Sequence, residues 1–267
     1  SQKLQNEFEC KFITIKSSET IGDIGKINFK KFYFVAELYV KVLITLLTFK
    51  PDKLYFTASV GGVALYRDIL ISTLWKFYSL FTSLDIYYHY HTKGIDKAVT
   101  SSFVNLKLTN FFVKDVHMIL LSPLLDKDLA QLSTYKNILH LPNGVEDSMP
   151  NAEFQSHIEC KYTELKTIQT LYLAHMMKDK GYWEALELAN VNKTKDIHFH
   201  FAGSWKDEDG EKEFFDYIQE HQLENKITYH GFVSGKQKEK LFINANLLLY
   251  PSKNDAFPLT LLESLSY

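Results

Sequence analysis

Tyr250-Pro251-Ser252-Lys253-Asn254-Asp255-Ala256-Phe257-Pro258-Leu259-Thr260-Leu261-Leu262-Glu263-Ser264-Leu265-Ser266 is the stretch whose reading decides the fold. An apolar strand over Asn246–Tyr250 runs into a polar turn and then into a helix. Pro258 is predicted at the first helical position, where its missing N–H is not needed. The turn then offers free backbone N–H groups at a positive helix end, a setting for an anion. Asp255 lies before that end and Glu263 inside the helix, two carboxylates that can accept hydrogen bonds from hydroxyls.

Working back from this stretch, the second half reads as a repeat of the same logic. Strands are predicted over Thr170–Ala174, His198–Ala202, Lys226–Tyr229 and Asn246–Tyr250. Helices fill the gaps over Tyr182–Ala189, Glu211–His221, Lys236–Asn244 and from Pro258 onward. The first half alternates similarly. Lys11–Ile15, Leu54–Ala58, Ile86–His91, Val116–Leu121 and Asn137–Leu141 read as strands. Phe34–Phe49, stopped by Pro51, and Val63–Leu80 read as helices. Pro142-Asn143-Gly144 is a turn signal, and the polar run from Glu146 to Lys166 reads as a linker with a leading helix. Strands alternating with helices imply an α/β fold with parallel sheets covered by helices. Two such units are expected, residues 1–150 and 151–267.

Composition narrows the class. The chain has 267 residues, is 46% hydrophobic and has a net charge of −2, so it can bury a core and nothing points to nucleic acid. The first half is mildly basic and the second mildly acidic. Arg67 is the single arginine. Cys10 and Cys160 are far apart and form no ligand-like pattern, which fits a reducing cytoplasm. Phe32–Phe49 is the most apolar stretch, but Glu37 and Lys41 interrupt it. Two readings stand for it: a buried crossover helix, or a helix lying on a membrane surface. No Gly-x-Gly-x-x-Gly follows a strand, which argues against a dinucleotide-dependent dehydrogenase. No metal is expected: no Cys/His cluster has metal-ligand spacing, and no Asp-x-Asp motif is expected to hold a divalent ion.

The stretch from Asp255 to Glu263, an acidic residue followed by seven residues and a glutamate with Phe-Pro-Leu between them, resembles the donor motif of the retaining glycosyltransferases of family 4. The resemblance implies a GT-B fold, two Rossmann-like domains facing across a cleft, with an acceptor-side domain first and a nucleotide-sugar domain second. It implies that Asp255 contacts the transferred sugar, that Glu263 holds the ribose, and that Phe257, Pro258, Leu259 and Thr260 line the donor site. Ala174-His175-Met176-Met177-Lys178-Asp179-Lys180-Gly181 resembles the family's Gly-Arg-x4-Lys-Gly diphosphate clamp. Lys180 and Gly181 match, whereas Ala174 and His175 replace its Gly and Arg. Gly203 stands where the family uses a glycine to let the backbone approach the donor. His230-Gly231-Phe232-Val233 resembles a segment beside the base, and Asn143-Gly144 the turn before the linker. His91, in Tyr88-His89-Tyr90-His91, matches a histidine beside the donor sugar. His89 and His91 share a strand face, but no third ligand accompanies them.

The resemblance therefore implies transfer of a sugar from a nucleotide diphosphate sugar to a glycan or lipid-linked acceptor, with retention and without a metal or other cofactor. His91, Asp255 and Lys180 would serve the chemistry. Glu263, His175 and Gly203 would bind the donor. The expected location is cytoplasmic, with the inner membrane face as the alternative, contacted through the N-terminal domain. A second reading is a non-catalytic glycosyltransferase-like binding or scaffold protein. The family usually has a strand before the first one here and further βα units after Tyr267, so the second domain is expected to be incomplete.

Overall fold

The computed structural model describes residues 7–15, 29–163, 166–253 and 255–267. The chain divides into two units, Ser1–Pro142 and Asn143–Tyr267. The division falls ahead of residue 150 because the segment after Pro142 bonds within the second unit. The Asn143 amide donates to the Phe257 carbonyl at 2.9 Å, and the Ser148 and Ser266 hydroxyls pair at 2.8 Å.

The first unit runs α1 (Phe29–Phe49), β1 (Lys53–Thr57), α2 (Gly62–Ser79), β2 (Asp85–Tyr90), α3 (Ile95–Thr100), α4 (Phe103–Val113), β3 (His117–Leu120), a 3-10 segment (Pro123–Leu129) and β4 (Asn137–His140). Its strands form one parallel sheet in sequential order, β1-β2-β3-β4. Aromatic side chains knit helices to sheet. The Trp75 indole on α2 donates to the Tyr88 hydroxyl at 2.8 Å, and the Phe112 ring on α4 stacks on Tyr88 at 4.5 Å. Ser102 caps α4 by accepting from the Asn105 N–H, satisfying one orphan donor of the first turn.

Several elements differ from the sequence expectation. Lys11–Ile15 forms no strand, and Phe12 is exposed; five residues without a sheet edge to pair with cannot satisfy their backbone groups as a strand. β2 ends at Tyr90, so His91 lies just beyond the strand. α1 begins earlier than expected, at Phe29. α3 and α4 occupy a stretch that carried no assignment.

The second unit runs α5 (Asn151–Thr163), β5 (Ile168–Leu173), a 3-10 turn (Lys178–Lys180), α6 (Tyr182–Val191), β6 (Ile197–Ala202), α7 (Glu208–Glu220), β7 (Ile227–Tyr229), α8 (Gly235–Asn244), β8 (Leu247–Leu249) and α9 (Leu259–Ser264). Its parallel sheet has the order β7-β6-β5-β8. Tyr172, Leu186, Phe199, Phe201 and Phe214 pack its core between sheet and helices. The alternation along β6 explains the sidedness: Phe199 and Phe201 are buried, while His198 and His200 are only half-buried. The chain reverses its direction of growth between β5 and β8. The carboxyl ends of those two strands are therefore the switch point, where open α/β sheets bind ligands.

Candidate functional site

Two loops meet at that switch point. The first leaves β5 at Ala174 and passes through His175 to Gly181. The second leaves β8 and passes through Tyr250 and Pro251 to Asp255. Gly181 is what allows the approach. It has φ +82°, and a Cβ there would sit 2.5 Å from the Pro251 carbonyl oxygen and 2.7 Å from its carbon. The Lys253 N–H donates to the Asp179 carbonyl at 3.0 Å, and the Lys253 ammonium pairs with Glu184 at 2.5 Å. Beneath the first loop the Tyr172 hydroxyl, 1% exposed, reaches the carbonyls of His175 and Lys180 at 3.2 and 3.3 Å. Burial, reinforced by Tyr250, Tyr182 and nearby acids, raises the Tyr172 pKa, so it stays a donor.

The result is a compact charge cluster. The Lys180 ammonium donates to Asp255 Oδ1 at 2.5 Å, with 26% and 22% of the two side chains exposed. Asp255 Oδ2 accepts from the Ser252 hydroxyl at 2.5 Å and from the Tyr250 hydroxyl. Burial pushes the Asp255 carboxyl up, but the bonds from Lys180, Ser252 and Tyr250 and the Lys180 charge outweigh it, leaving it below the usual carboxylate range. Asp255 is therefore ionised and fixed in direction at neutral pH. Tyr250 is driven the other way, by burial and by its carboxylate neighbour, and keeps its proton. Lys180 has two further N–H donors beyond the one it gives Asp255.

The other expected residues spread around this cluster. The Glu263 carboxylate on α9 is held by the Lys238 ammonium of α8 at 2.7 Å. His175 pairs through Nδ1 with the Ser204 hydroxyl at 3.0 Å, leaving Nε2 as its other ring nitrogen. Gly203 has a reason internal to the fold: at φ +154° a Cβ would lie 1.8 Å from the Ala174 carbonyl oxygen. Its N–H donates to the Gly231 carbonyl at 2.8 Å, joining the ends of β6 and β7. The Phe257 carbonyl is taken by Asn143, so Asn143-Gly144 is more than a turn former. Pro258 is not the first helical residue. It is extended, at φ −74° and ψ 120°, and α9 begins at Leu259 with Thr260 second. With only six residues α9 has little macrodipole, so any anion there would rest on the local N–H groups of the turn.

His91 belongs to the first unit. Its ring lies 3.9 Å from that of His89, and burial lowers its pKa. His89 is 4% exposed, pairs through Nδ1 with the Tyr55 hydroxyl, and is pushed down to about 4 by burial and by His91.

Sequence reasoning missed Tyr250, Ser252 and Lys238. Tyr250 and Ser252 were visible in the motif stretch, five and three residues before Asp255, as hydroxyls able to reach it. Lys238 lies on another helix and had no such signal. The expectation of no paired-acid motif also overlooked Asp126-Lys127-Asp128 and Asp207-Glu208-Asp209. Their side chains have structural partners: Asp126 meets His140 at 2.7 Å, Asp128 accepts from the Gly94 N–H at 2.6 Å, and Asp207 caps α7. Among the described residues no group of three or more His, Cys, Asp or Glu could hold a metal ion.

Comparison with known proteins follows this division. Residues 158–267, within the second unit, match the family described as Glycosyl transferases group 1. The chain is similar to alpha-galactosylglucosyldiacylglycerol synthase of Streptococcus pneumoniae strain ATCC BAA-255 / R6, 26% identical over 182 residues, covering 65% of this chain and 46% of that protein. The chain thus spans about half the length of this curated relative. Among solved structures it resembles a sucrose-phosphate synthase from Thermosynechococcus elongatus, with a TM-score of 0.64 and 14% identity over 95% of this chain and 62% of that one. It also resembles Anabaena HepE in complex with UDP and glucose, with a TM-score of 0.58 and 15% identity over 86% of this chain and 60% of that one. These likenesses establish the fold, α/β with parallel sheets as in GT-B glycosyltransferases.

Proposed function

We propose that the protein to which this chain belongs is a retaining, metal-independent glycosyltransferase using a nucleotide diphosphate sugar. The observation that carries the reading is the junction of the β5 and β8 loops, where Lys180 and Asp255 meet at 2.5 Å inside the domain matched to Glycosyl transferases group 1. In this reading the anomeric C–O bond to the diphosphate breaks and a C–O bond to an acceptor hydroxyl forms on the same face. The acceptor proton passes to the departing phosphate oxygen. Negative charge grows on the diphosphate, and the ammonium of Lys180 and the N–H groups of Phe257, Leu259 and Thr260 would offset it. His175 Nε2 would add one hydrogen bond where a charged guanidinium would add more.

Asp255, held ionised on three sides, would orient the sugar by accepting from its hydroxyls. Glu263, steadied by Lys238, would take the ribose diol. His91 is assigned to the donor sugar by its sequence match alone. The acceptor is a glycan or a lipid-linked sugar, in keeping with the lipid glycoside named by the pneumococcal relative. A cytoplasmic site of action accords with two free cysteines.

Calorimetric titration with UDP, GDP and ADP, each beside its nucleoside, tests the reading. One diphosphate should bind better than its nucleoside, and Lys180→Ala should abolish the difference. Failure of every nucleotide to bind would reject it. Binding without turnover in the full-length protein would favour a non-catalytic binding role.

A further inference from the structure

The lysines gathered around the β5 and β8 loops leave no surplus of positive charge there, because each is matched by an acid. Lys180 meets Asp255 at 2.5 Å, Lys253 meets Glu184 at 2.5 Å, and Lys238 of α8 meets Glu263 at 2.7 Å. Lys178, on the same turn as Lys180, is matched as well, by Glu213 at 2.9 Å. The chain's single arginine, Arg67, belongs to the first unit and is bonded to Asp68. Such a site can hold an anion through directed N–H groups but gains little from the anion's total charge. Of two phosphates of similar shape, it favours the one that carries less charge.

Asp255 is placed to read that difference. Its carboxylate is fixed by Ser252 and Tyr250 and sits on the ammonium that would take the diphosphate. The three donors of an ammonium are tetrahedral, so a phosphate oxygen accepted by Lys180 lies about 4.3 Å from Asp255 Oδ1. That is within the ~4–6 Å over which one charge governs the state of another. It is also within the ~8 Å Debye length at 0.15 M salt. We propose that Asp255 makes the site favour the nucleotide sugar over the nucleoside diphosphate, and so drives the diphosphate product out. The inference rests on the transferase reading above and adds product release to it. In the donor, the terminal phosphate oxygen is esterified to the anomeric carbon, and sugar hydroxyls donate to Asp255. When that C–O bond breaks, the electron pair stays on the phosphate oxygen, which receives the acceptor's proton. At neutral pH this proton passes on to water, because a terminal phosphate has its second pKa near about 6. The product then carries one more negative charge than the donor, and no sugar hydroxyl separates it from Asp255. At about 4.3 Å a pair of unit charges shifts an equilibrium about fivefold even in the dielectric of water.

Calorimetric titration of the whole chain at neutral pH and low salt tests this, with UDP, GDP and ADP beside UDP-glucose, GDP-mannose and ADP-glucose. The unaltered chain should bind a sugar conjugate more tightly than its free diphosphate. The reverse order would overturn the proposal without any variant. Asp255→Asn removes the charge while keeping the shape and an acceptor oxygen for Ser252 and Tyr250. It should bind the free diphosphate about fivefold more tightly than the unaltered chain does, while the conjugate gains nothing or weakens. Opposite changes for two ligands cannot come from a misfolded variant, which would weaken both. Glu213→Gln, which frees Lys178 on the same turn, is the matched control and should leave the ratio of the two affinities unchanged. With the melting curve retained, an unchanged or weaker diphosphate affinity in Asp255→Asn would overturn the proposal and leave the transferase reading in place. So would equal gains for both ligands, or an equal gain in Glu213→Gln. Binding of neither diphosphate nor conjugate would overturn the transferase reading, and this inference with it.

Discussion

Replacing Gly181 by alanine tests what brings the two site loops together. The new Cβ would start 2.5 Å from the Pro251 carbonyl oxygen and 2.7 Å from both its carbon and its Cγ. Ordinary contact begins near ~3.4 Å, so Pro251 must retreat by about 0.9 Å or Gly181 must leave its φ of +82°. An alanine held in the left-handed region costs about 1–2 kcal/mol. Forcing a methyl group into a filled contact costs about 1–3 kcal/mol more. The sum is about 2–5 kcal/mol, or a fall in melting temperature on the order of 10 °C for a unit of this size. The retreat is also directional. Pro251 lies between Tyr250 and Ser252, both donors to Asp255, and two residues before the Lys253 N–H that bonds Asp179. Moving it pulls Asp255 away from Lys180.

Gly144→Ala is the matched control, because a Cβ there meets nothing within 4 Å. The assay is urea denaturation together with nucleotide titration of both variants. Gly181→Ala should lose stability and at least tenfold in nucleotide affinity, while Gly144→Ala should change neither appreciably. Equal behaviour of the two would refute the claim that the Gly181–Pro251 approach builds the site.

Glu263→Gln should weaken nucleotide binding by about 1.5–3 kcal/mol through loss of charge-assisted bonds to the ribose, and an unchanged affinity in a folded variant would make Glu263 a helix acid paired to Lys238. Lys180→Ala should impair diphosphate but not nucleoside binding, whereas His175→Arg should strengthen diphosphate binding; equal losses for nucleoside and diphosphate in the first, or no gain in the second, would count against a clamp. The His198, His200 and His230 cluster should make the second unit acid-sensitive. His200 Nδ1 meets His230 Nε2 at 3.0 Å and His200 Nε2 donates to the Gln169 side-chain oxygen at 2.8 Å, an arrangement that is lost when both rings are protonated, because the two facing nitrogens would then both be donors. Burial, with His198 and His230, pushes His200 down to about 4, and Lys226 adds to the positive potential at His198. A depressed histidine costs nothing above its unfolded pKa and destabilises the fold as pH falls from about 6.5 towards 4. With solvent screening the His200 share is about 1 kcal/mol, so His200→Gln should flatten the melting-temperature profile across that window; an unchanged profile would exonerate the cluster.

Much of the second unit was legible because its strands announce themselves locally. Thr170–Ala174 and His198–Ala202 are short apolar or alternating runs, each ended by a residue that leads into a polar loop, and both form strands within a residue or two of their expected limits. Lys11–Ile15 has a similar local pattern and fails, because strand formation depends on an edge to pair with, which five residues cannot report. The helices α3 and α4 escaped for the opposite reason: Ile95–Thr100 is too short to display a period, and Phe103–Val113 is apolar on several sides, so neither shows a clean stripe.

At the site the same distinction separates what sequence conveys from what only folding decides. Lys180, Asp255 and Glu263 could be named because the stretches that carry them resemble a family's diphosphate clamp and donor motif. Their electrostatic state could not. Lys180 and Asp255 are separated by seventy-five residues, and only the β7-β6-β5-β8 order sets their loops side by side. Once that order is given, the glycine at 181 takes on a second meaning. In sequence it is a helix lead-in; in the fold it is the one residue type that lets the Pro251 backbone close over the first loop. Gly203 likewise reads as a donor-side glycine in sequence, but the Ala174 carbonyl already accounts for it. Substituting either glycine should therefore act first on the packing of strand ends and only through that on ligand, so affinity and stability should fall together. A Gly203→Ala variant that kept full stability while losing nucleotide affinity would show instead that the glycine serves the ligand directly.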